Sequence, residues 1–480
     1  MNNFNETIKI RQKLASDPYR PCFHFLAPTQ WTGAPTSLIA WQGEYHLFYQ
    51  YNPQKNTQEL LHWGHASSED FIHWLDRPIA LMPEQHAADQ LGCWGGCVVN
   101  NQGTPTIMYS GRHLENQQLL NCNLAISQDN LTSWQKYSRN PLTIPPPTDD
   151  TVLFLRDPYI WQHQNQWSLI IAAQLKERGN SILLYTSADL IHWQYINILV
   201  YNNLNEESRW ITPTLIALDN QHLLLVSVYQ AETYLYSLYW LGYYHEQRFI
   251  PKSDFPQKLD FGEGYFCVPQ LVFDAQKRWI MYGWIQEDST IQTQRPWAGV
   301  LSLPRVIQVQ ANQLQVHIAE EYQQLREQHY QFRNFTLVEG RPTILEGVKS
   351  DSLEIWLEIA LHQAQQVGVK LRCSPAEEEV TLIKFNRLTE ELSLDRQNSS
   401  LNPATNKHKQ SAQLQLLPQE HLVLHIFLDR SVLEIIANDR ICLTSRIYPT
   451  LSASTGLKLF AFGHDAQVCS VHVWTLKSIW

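Results

Sequence analysis

The sequence predicts an all-β chain, a five-bladed β-propeller followed by a C-terminal β-sandwich, and three observations carry that prediction. One phrase recurs, as Ser68-Glu-Asp-Phe-Ile-His-Trp74, Ser127-Gln-Asp-Asn-Leu-Thr-Ser-Trp134 and Ser187-Ala-Asp-Leu-Ile-His-Trp193, with its tryptophans 60 and 59 residues apart. A second pattern, a β-rich run, a polar turn and another β-rich run, recurs five times between residues 37 and 282. After Pro304-Arg305 both patterns stop and short strands of alternating polarity take over. A period of tens of residues decides architecture, because each repeat is one unit that buries its apolar face only against its neighbours.

The hairpins run over 37–51 across Gln42-Gly43, 97–109 across 100–103, 158–172 across 162–166, 213–228 across 219–221 and 269–282 across 274–277. Each is followed by further strand-like sequence, so five four-stranded blades account for residues 1–305, with a short N-terminal extension. Residues 306–332 are expected to be a linker, because 311–332 are rich in Gln and charge with a partial apolar stripe, a strand end followed by a short helix. Residues 333–480 read as the sandwich, from alternating runs at 352–360, 421–428 and 431–437. The stretch 375–409, rich in Glu, Asn, Ser and Lys, is expected to form surface loops.

Composition narrows the class. A chain of 480 residues exceeds one ordinary core, and 44% apolar against 17% charged residues excludes wholesale disorder. Its 17 Trp, 21 Tyr and 17 Phe suit an aromatic-rich β protein, of a kind that often binds sugars. With 36 basic against 46 acidic residues and no basic run, nucleic acid is excluded as a partner. No run of eighteen apolar residues exists and Met1 to Arg20 is polar, so no membrane contact and a cytoplasmic location are expected. The eight cysteines contain no Cys-x-x-Cys and are expected to be buried free thiols, with Cys93 and Cys97 facing a blade interior. His62-x-x-His65 has no carboxylate ligand beside it, so no metal and no cofactor are expected.

In a propeller the innermost strands surround a central funnel, and residues at their starts converge on one small ligand. Here those positions are Ala34-Pro35, Gly95-Gly96, Asp157-Pro158, Ile211-Thr212-Pro213 and Cys267-Val268-Pro269. Asp157, after Arg156, is the one carboxylate among them. The Arg156-Asp157 pair reads either as an ion pair tying blades together or as a ligand contact.

Several motifs then resemble a known family. His24-Phe-Leu-Ala-Pro28, Trp31-Thr-Gly-Ala-Pro-Thr-Ser37, Tyr45-His-Leu-Phe-Tyr-Gln-Tyr-Asn-Pro53 and His62-Trp-Gly-His65 are similar to the opening of glycoside hydrolase family 32, the invertase, β-fructofuranosidase and fructanase group. Phe154-Leu-Arg-Asp-Pro158, Gly283-Trp284, Trp297-Ala-Gly-Val-Leu-Ser-Leu-Pro-Arg305, Phe427-Leu-Asp-Arg-Ser-Val-Leu-Glu434 and Arg446-Ile-Tyr-Pro449 follow in family order. The resemblance implies the same two-domain β fold.

It also implies a loss. Where the family has Trp-Met-Asn-Asp-Pro-Asn-Gly, Ala34 stands in place of the nucleophilic Asp; where it has Trp-Glu-Cys-Pro, Ile211 stands in place of the acid/base Glu. Gly95 stands where a substrate-binding Ser is usual, and Cys267 where a Tyr is usual. The substrate-binding set implied by the resemblance is Trp31, Gln50, Trp63, Trp94, Arg156, Asp157 and Trp284, with Asp157 at the transition-state-stabilising position. The expectation is a catalytically degenerate protein that binds a fructoside or regulates. Two alternatives stay open. One is a weak sucrose or fructan hydrolase, or fructosyltransferase, using displaced carboxylates: Glu263, Glu287 and Asp288 lie near a blade entry, whereas Glu206 and Glu207, four or five residues from Ile211 on an extended strand, are too far to substitute without a changed register. The other is a subunit in a homo-oligomer or paired with an active relative.

Overall fold

The computed structural model describes residues 2–113, 121–163, 165–202, 207–231, 233–292 and 294–480. Its sheets follow the chain in order. Blade I pairs Gln30–Trp41, Glu44–Asn52, His62–Ser68 and Leu75–Leu81, and Trp297–Ala298 adds a short parallel strand beside the innermost one. Blade II holds Cys93–Asn101, Thr104–Gly111, Asn121–Ile126 and Gln135–Lys136; blade III holds Val152–His163, Gln166–Leu175, Gly179–Ser187 and Gln194–Asn202. Blade IV is built on Arg209–Leu218, Gln221–Gln230, Thr233–His245 and Arg248–Pro251. A polar N-terminal helix, Asn2–Leu14, is tied to blade I by Arg11, whose guanidinium donates to both oxygens of Asp76 at 2.9 Å.

The recurring phrase makes one turn, between the third and fourth strands of a blade. Asp70 Oδ1 accepts from the Ile72 and His73 backbone N–H groups at 2.9 and 2.8 Å, and Trp74 Nε1 donates to the Phe71 carbonyl at 3.1 Å. Asp189, Ile191, His192, Trp193 and Leu190 repeat these contacts at 2.9, 2.8 and 3.1 Å. Phe71 and Leu190 take φ of 63° and 66°, a left-handed conformation that costs a β-propensity residue energy and that the Asp hydrogen bonds hold in place. The middle copy, one residue longer, varies the turn: Asp129 Oδ1 accepts from the Ser133 backbone at 2.8 Å and Ser127 Oγ from that of Leu131 at 3.0 Å.

Blade V runs past residue 305, contrary to the expected linker. Arg305–Gln310 pairs with Trp279–Ile285 and, on its other side, with Gln313–Ile318, and these complete the sheet begun by Phe266–Phe273. Residues 306–332 are therefore divided among the last hairpin of the propeller, a 3-10 turn at Glu320–Leu325 and the first sandwich strand, Arg326–Leu337. Val306, Leu314, Val316 and Ile318 face the core while glutamines face out, a period-two pattern that the Gln and charge content hid.

The sandwich consists of two six-stranded sheets over its own aliphatic core, with Leu353, Ile355, Leu357 and Ile359 buried at alternate positions. Residues 375–409 are not only loops. Thr381–Asn386 and Glu391–Asp395 form a paired hairpin whose Ile383, Phe385, Leu392 and Leu394 reach that core, strands too short to stand out from their polar surroundings.

Charged groups join the two domains. Glu434, from the sandwich, accepts from Arg305 Nη2 at 2.6 Å and from the Leu303 backbone at 2.7 Å, and Arg305 Nη1 donates to Asp260 at 2.8 Å. His24 bridges Asp429 and Glu434 through its two ring nitrogens, at 2.8 and 3.0 Å. All of these side chains are 0–1% exposed. Burial alone would raise the Glu434 carboxyl, but the Arg305 charge and the His24 hydrogen bond bring it down to about 2. Burial would lower His24, and its two carboxylate partners raise it instead.

Candidate active site

Each innermost strand carries a β-bulge at the point where it passes the propeller axis. The pairing register shifts between Thr32 and Pro35, Cys93 and Gly96, Arg156 and Tyr159, Ile211 and Thr214, and Cys267 and Gln270. Bulges re-aim side chains, and five of them at one level aim five segments at one point. In blades III, IV and V the bulge holds a non-glycine residue at positive φ: Asp157 at 59°, Thr212 at 48° and Val268 at 52°. Such strain persists only where the surrounding structure fixes it.

Asp157 is the centre of what these segments make. Its Oδ2 accepts from Arg156 Nε at 2.8 Å, and its backbone N–H donates to Ser110 Oγ at 2.8 Å. Burial would lower the Arg156 guanidinium pKa; the adjacent carboxylate more than offsets that and raises it, so the pair is an ion pair inside the protein. Arg156 also lies over the Trp94 ring, 4.7 Å from its centroid. The axial pocket is lined by Pro35, Thr36, Gln50, Gly95, Asp157 and Thr212, with others. Thr36 Oγ1, Gln50 Oε1, Asp157 Oδ1 and Thr212 Oγ1 are buried there without a hydrogen-bond partner among the described residues. The volume within is about 10 Å³, room for roughly one water molecule.

Of the residues expected from sequence, Gln50, Arg156 and Asp157 line this pocket. Ala34 and Ile211, 1% and 0% exposed, sit behind its wall in the propeller core. Trp31, Trp94 and Trp284 are in the same core cluster, and Trp284 Nε1 is spent on the Thr32 carbonyl at 2.9 Å. Trp63 is 0% exposed between blades and donates to the Trp94 carbonyl at 2.7 Å, so it presents no face to the pocket. Two residues that sequence reading missed are Tyr234, which lines the pocket, and Tyr229 beside it: Trp31, Trp284, Tyr234 and Tyr229 meet edge to face in turn at 5.3, 5.4 and 5.1 Å. Both flank the turn after the second strand of blade IV, and aromatic residues at that turn were the available signal.

The displaced carboxylates are occupied elsewhere. Glu287 pairs with Arg446 and Tyr448, and Asp288 accepts from Thr290 Oγ1 and the Asn406 backbone at 2.7 and 2.8 Å, so both serve the sandwich contact. Glu263 pairs with Lys258, and Glu207 accepts from Gln230 at 3.3 Å on the surface. Glu206 lies outside the described residues. Cys267 is fully buried and its thiol is pushed well up by that burial, which leaves it a neutral group. His62 and His65 do not converge: His62 Nδ1 meets the Leu60 carbonyl at 2.7 Å, and His65 Nε2 meets His46 Nδ1 at 2.9 Å.

A five-bladed propeller with a small polar pocket on its axis and a sandwich braced against one side is an all-β scaffold built around one small-ligand pocket. Comparison with known proteins makes this specific. The chain belongs to glycosyl hydrolases family 32: residues 24–318 match the family 32 N-terminal domain and residues 321–475 the family 32 C terminal. It is 29% identical to a sucrose-6-phosphate hydrolase of Zymomonas mobilis over 98% of this chain and 94% of that one. It is 28% identical to a raffinose invertase of Escherichia coli over 95% of each chain. Fructan 1-exohydrolase IIa of Cichorium intybus has the same fold, with a TM-score of 0.86 at 23% identity over 96% of this chain and 98% of that one. A variant of the chicory enzyme has been solved in complex with 1-kestose.

Proposed function

We propose that this chain is a family 32 protein without hydrolase activity, which binds a fructoside weakly and acts as a sensor or regulator. One observation carries the reading: among the described residues Asp157 is the one carboxylate lining the axial pocket, while retaining glycoside hydrolysis needs two carboxyl groups about 5 Å apart. With Ala34 and Ile211 in the other two positions there is no nucleophile, and no acid to protonate the leaving oxygen. The relatives named as hydrolases mark the ancestry of the scaffold, and their chemistry does not pass to a pocket of this composition.

Binding is supported by the four unpartnered polar atoms, which are hydrogen-bonding groups of the kind that sugar hydroxyls satisfy. With a pocket volume of about 10 Å³, a sugar ring enters only as lining side chains such as Gln50 and Tyr234 move aside, and affinity falls by the fraction of molecules that are open. Coupling of ligand to opening is what a sensor uses. Eight free cysteines suit a reducing, cytoplasmic setting.

Protein from an invertase-free host, assayed with sucrose, raffinose and inulin beside titrations of tryptophan fluorescence, tests both halves. The expected result is no fructose release and a weak, saturable fluorescence change, lost in Asp157→Ala. Turnover that survives purification would restore the enzyme reading; no fluorescence response to any of these sugars would leave regulation by the outer surfaces, with an active relative or a second copy as partner.

A further inference from the structure

On the outer face of the sandwich, three side chains from separate strands bring their donor atoms together. Glu358 is near the end of Ser352–Ala360, His421 immediately precedes Leu422–Asp429, and Cys469 lies in Ala466–Leu476. His421 Nδ1 is 2.7 Å from Glu358 Oε1 and 3.6 Å from Cys469 Sγ, and one donor atom from each of the three lies within 4.8 Å of the others. The thiol is turned this way by a bulge. Glu358 faces Ser470 and the next residue, Ile359, faces Val468, so Cys469 is the extra residue, and it faces out beside Ser470 while Val468 and Val471 are buried.

We infer that Glu358, His421 and Cys469 form a binding site for a zinc-class divalent ion. Tetrahedral zinc holds nitrogen at about 2.0–2.1 Å and sulfur at about 2.3 Å, which sets the two ligand atoms about 3.6 Å apart. The observed His421 to Cys469 separation has that value. Nitrogen and carboxylate oxygen on the same ion stand about 3.3 Å apart, so the present 2.7 Å hydrogen bond opens by about 0.6 Å when the ion enters. Glu358 is 29% exposed and has room to turn. One thiolate, one imidazole and one carboxylate select a borderline-soft ion; calcium and magnesium take oxygen donors. On binding, the proton that His421 Nδ1 shares with Glu358 is displaced, so that the imidazole carries its proton on Nε2 and coordinates through Nδ1, and the Cys469 proton passes to solvent as the thiolate forms. His421 is 40% exposed, so the fourth position opens to water or to a group from a partner. The donors are 63 and 48 residues apart in sequence, which is why the expectation of no metal, drawn from close spacings, did not reach them.

Reduced, metal-free full-length protein titrated with cobalt and zinc ions tests the site. Cobalt is expected to give a thiolate-to-metal charge-transfer band in the near ultraviolet, saturating at one equivalent and abolished by zinc. Cys469→Ser should lose the band, and both Cys469→Ser and His421→Ala should weaken zinc binding, measured calorimetrically, by more than the roughly 10–100-fold that loss of an outer-shell partner costs. Circular dichroism and melting of both variants check that they are folded, and either alone suffices for the comparison. His329→Gln, at a nearby pair where His329 Nε2 lies 3.0 Å from His472 Nδ1, should leave the band unchanged. Absence of band and heat in the unmodified protein overturns the site. So does a band that persists in Cys469→Ser, or one that is lost in His329→Gln.

Discussion

The carboxylate of Asp157 occupies the space that any side chain at position 95 would need: a Cβ built on Gly95 would stand 2.6 Å from Asp157 Oδ1 and 2.9 Å from Cγ. Arg156 ties the other carboxylate oxygen, Oδ2, and Ser110 fixes the Asp157 backbone, so the carboxylate swings clear only by giving up its ion pair. Gly95→Ala is therefore expected to lower stability by about 1–3 kcal/mol, the usual cost of overpacking. In an Asp157→Ala background the same change should cost little. Thermal melts of the four proteins give the coupling, and equal costs in both backgrounds would remove the contact from the account.

Ala34→Asp and Ile211→Glu are each expected to remain inactive on sucrose, and hydrolysis, if it returns, returns only in the double variant. The two groups act as a unit, so one without the other recovers little. Both positions are buried, and a carboxyl at 211 must also be placed where an isoleucine is 0% exposed, so a melting point lowered by Ile211→Glu is part of the expectation. Rates on purified proteins decide; a single variant as fast as the double would place the missing carboxylate elsewhere.

Glu434→Ala leaves Arg305 with Asp260 as its remaining carboxylate partner in a fully buried site. Breaking a buried pair from one side typically costs about 3–5 kcal/mol. Chemical denaturation should show that loss, and Glu434→Gln, which keeps an acceptor for Leu303, should lose less.

Acid should weaken the same contact in a defined window. Glu434 has its pKa lowered in the folded state to about 2 from 4.5, so its contribution is full above about pH 4.5 and is lost as pH falls toward about 2. The shift corresponds to roughly 3 kcal/mol at most. His24 works in the opposite sense: its folded pKa is raised, so its contribution is full below pH 6.5 and is lost as pH rises through the folded value. Melting temperatures from pH 2 to 9 should fall at the acid end, and the acid-side fall should be shallower in Glu434→Gln.

Much of the fold is legible in the sequence, for a physical reason that the turns make plain. Asp70 and Asp189 each satisfy two backbone N–H groups beside a left-handed residue, so the phrase around them cannot drift without losing the turn. The last hairpin of blade V has no such phrase, and its glutamines conceal its alternation. At the site, the axial positions could be read from their place in each hairpin, whereas only the family resemblance marks Ala34 and Ile211 as places where a carboxylate is usual. The bulges could not, because Asp157, Thr212 and Val268 take positive φ without the glycine that would announce it. Nor could the burial of Trp63, since an aromatic in a sugar-binding pattern and an aromatic between two blades look alike in sequence.

The contact between the two domains has one more consequence. His24, Asp429, Arg305 and Glu434 find partners across it, and in the sandwich alone Asp429 and Glu434 would lose His24 and Arg305, while in the propeller alone His24 would lose both its carboxylates and Arg305 would keep Asp260 only. The halves are thus expected to melt in one cooperative transition, and the sandwich cannot be exchanged for another as a free module. That mutual dependence keeps both halves together: either one can change its surface or its pocket, but neither is expected to stay folded once the other is discarded.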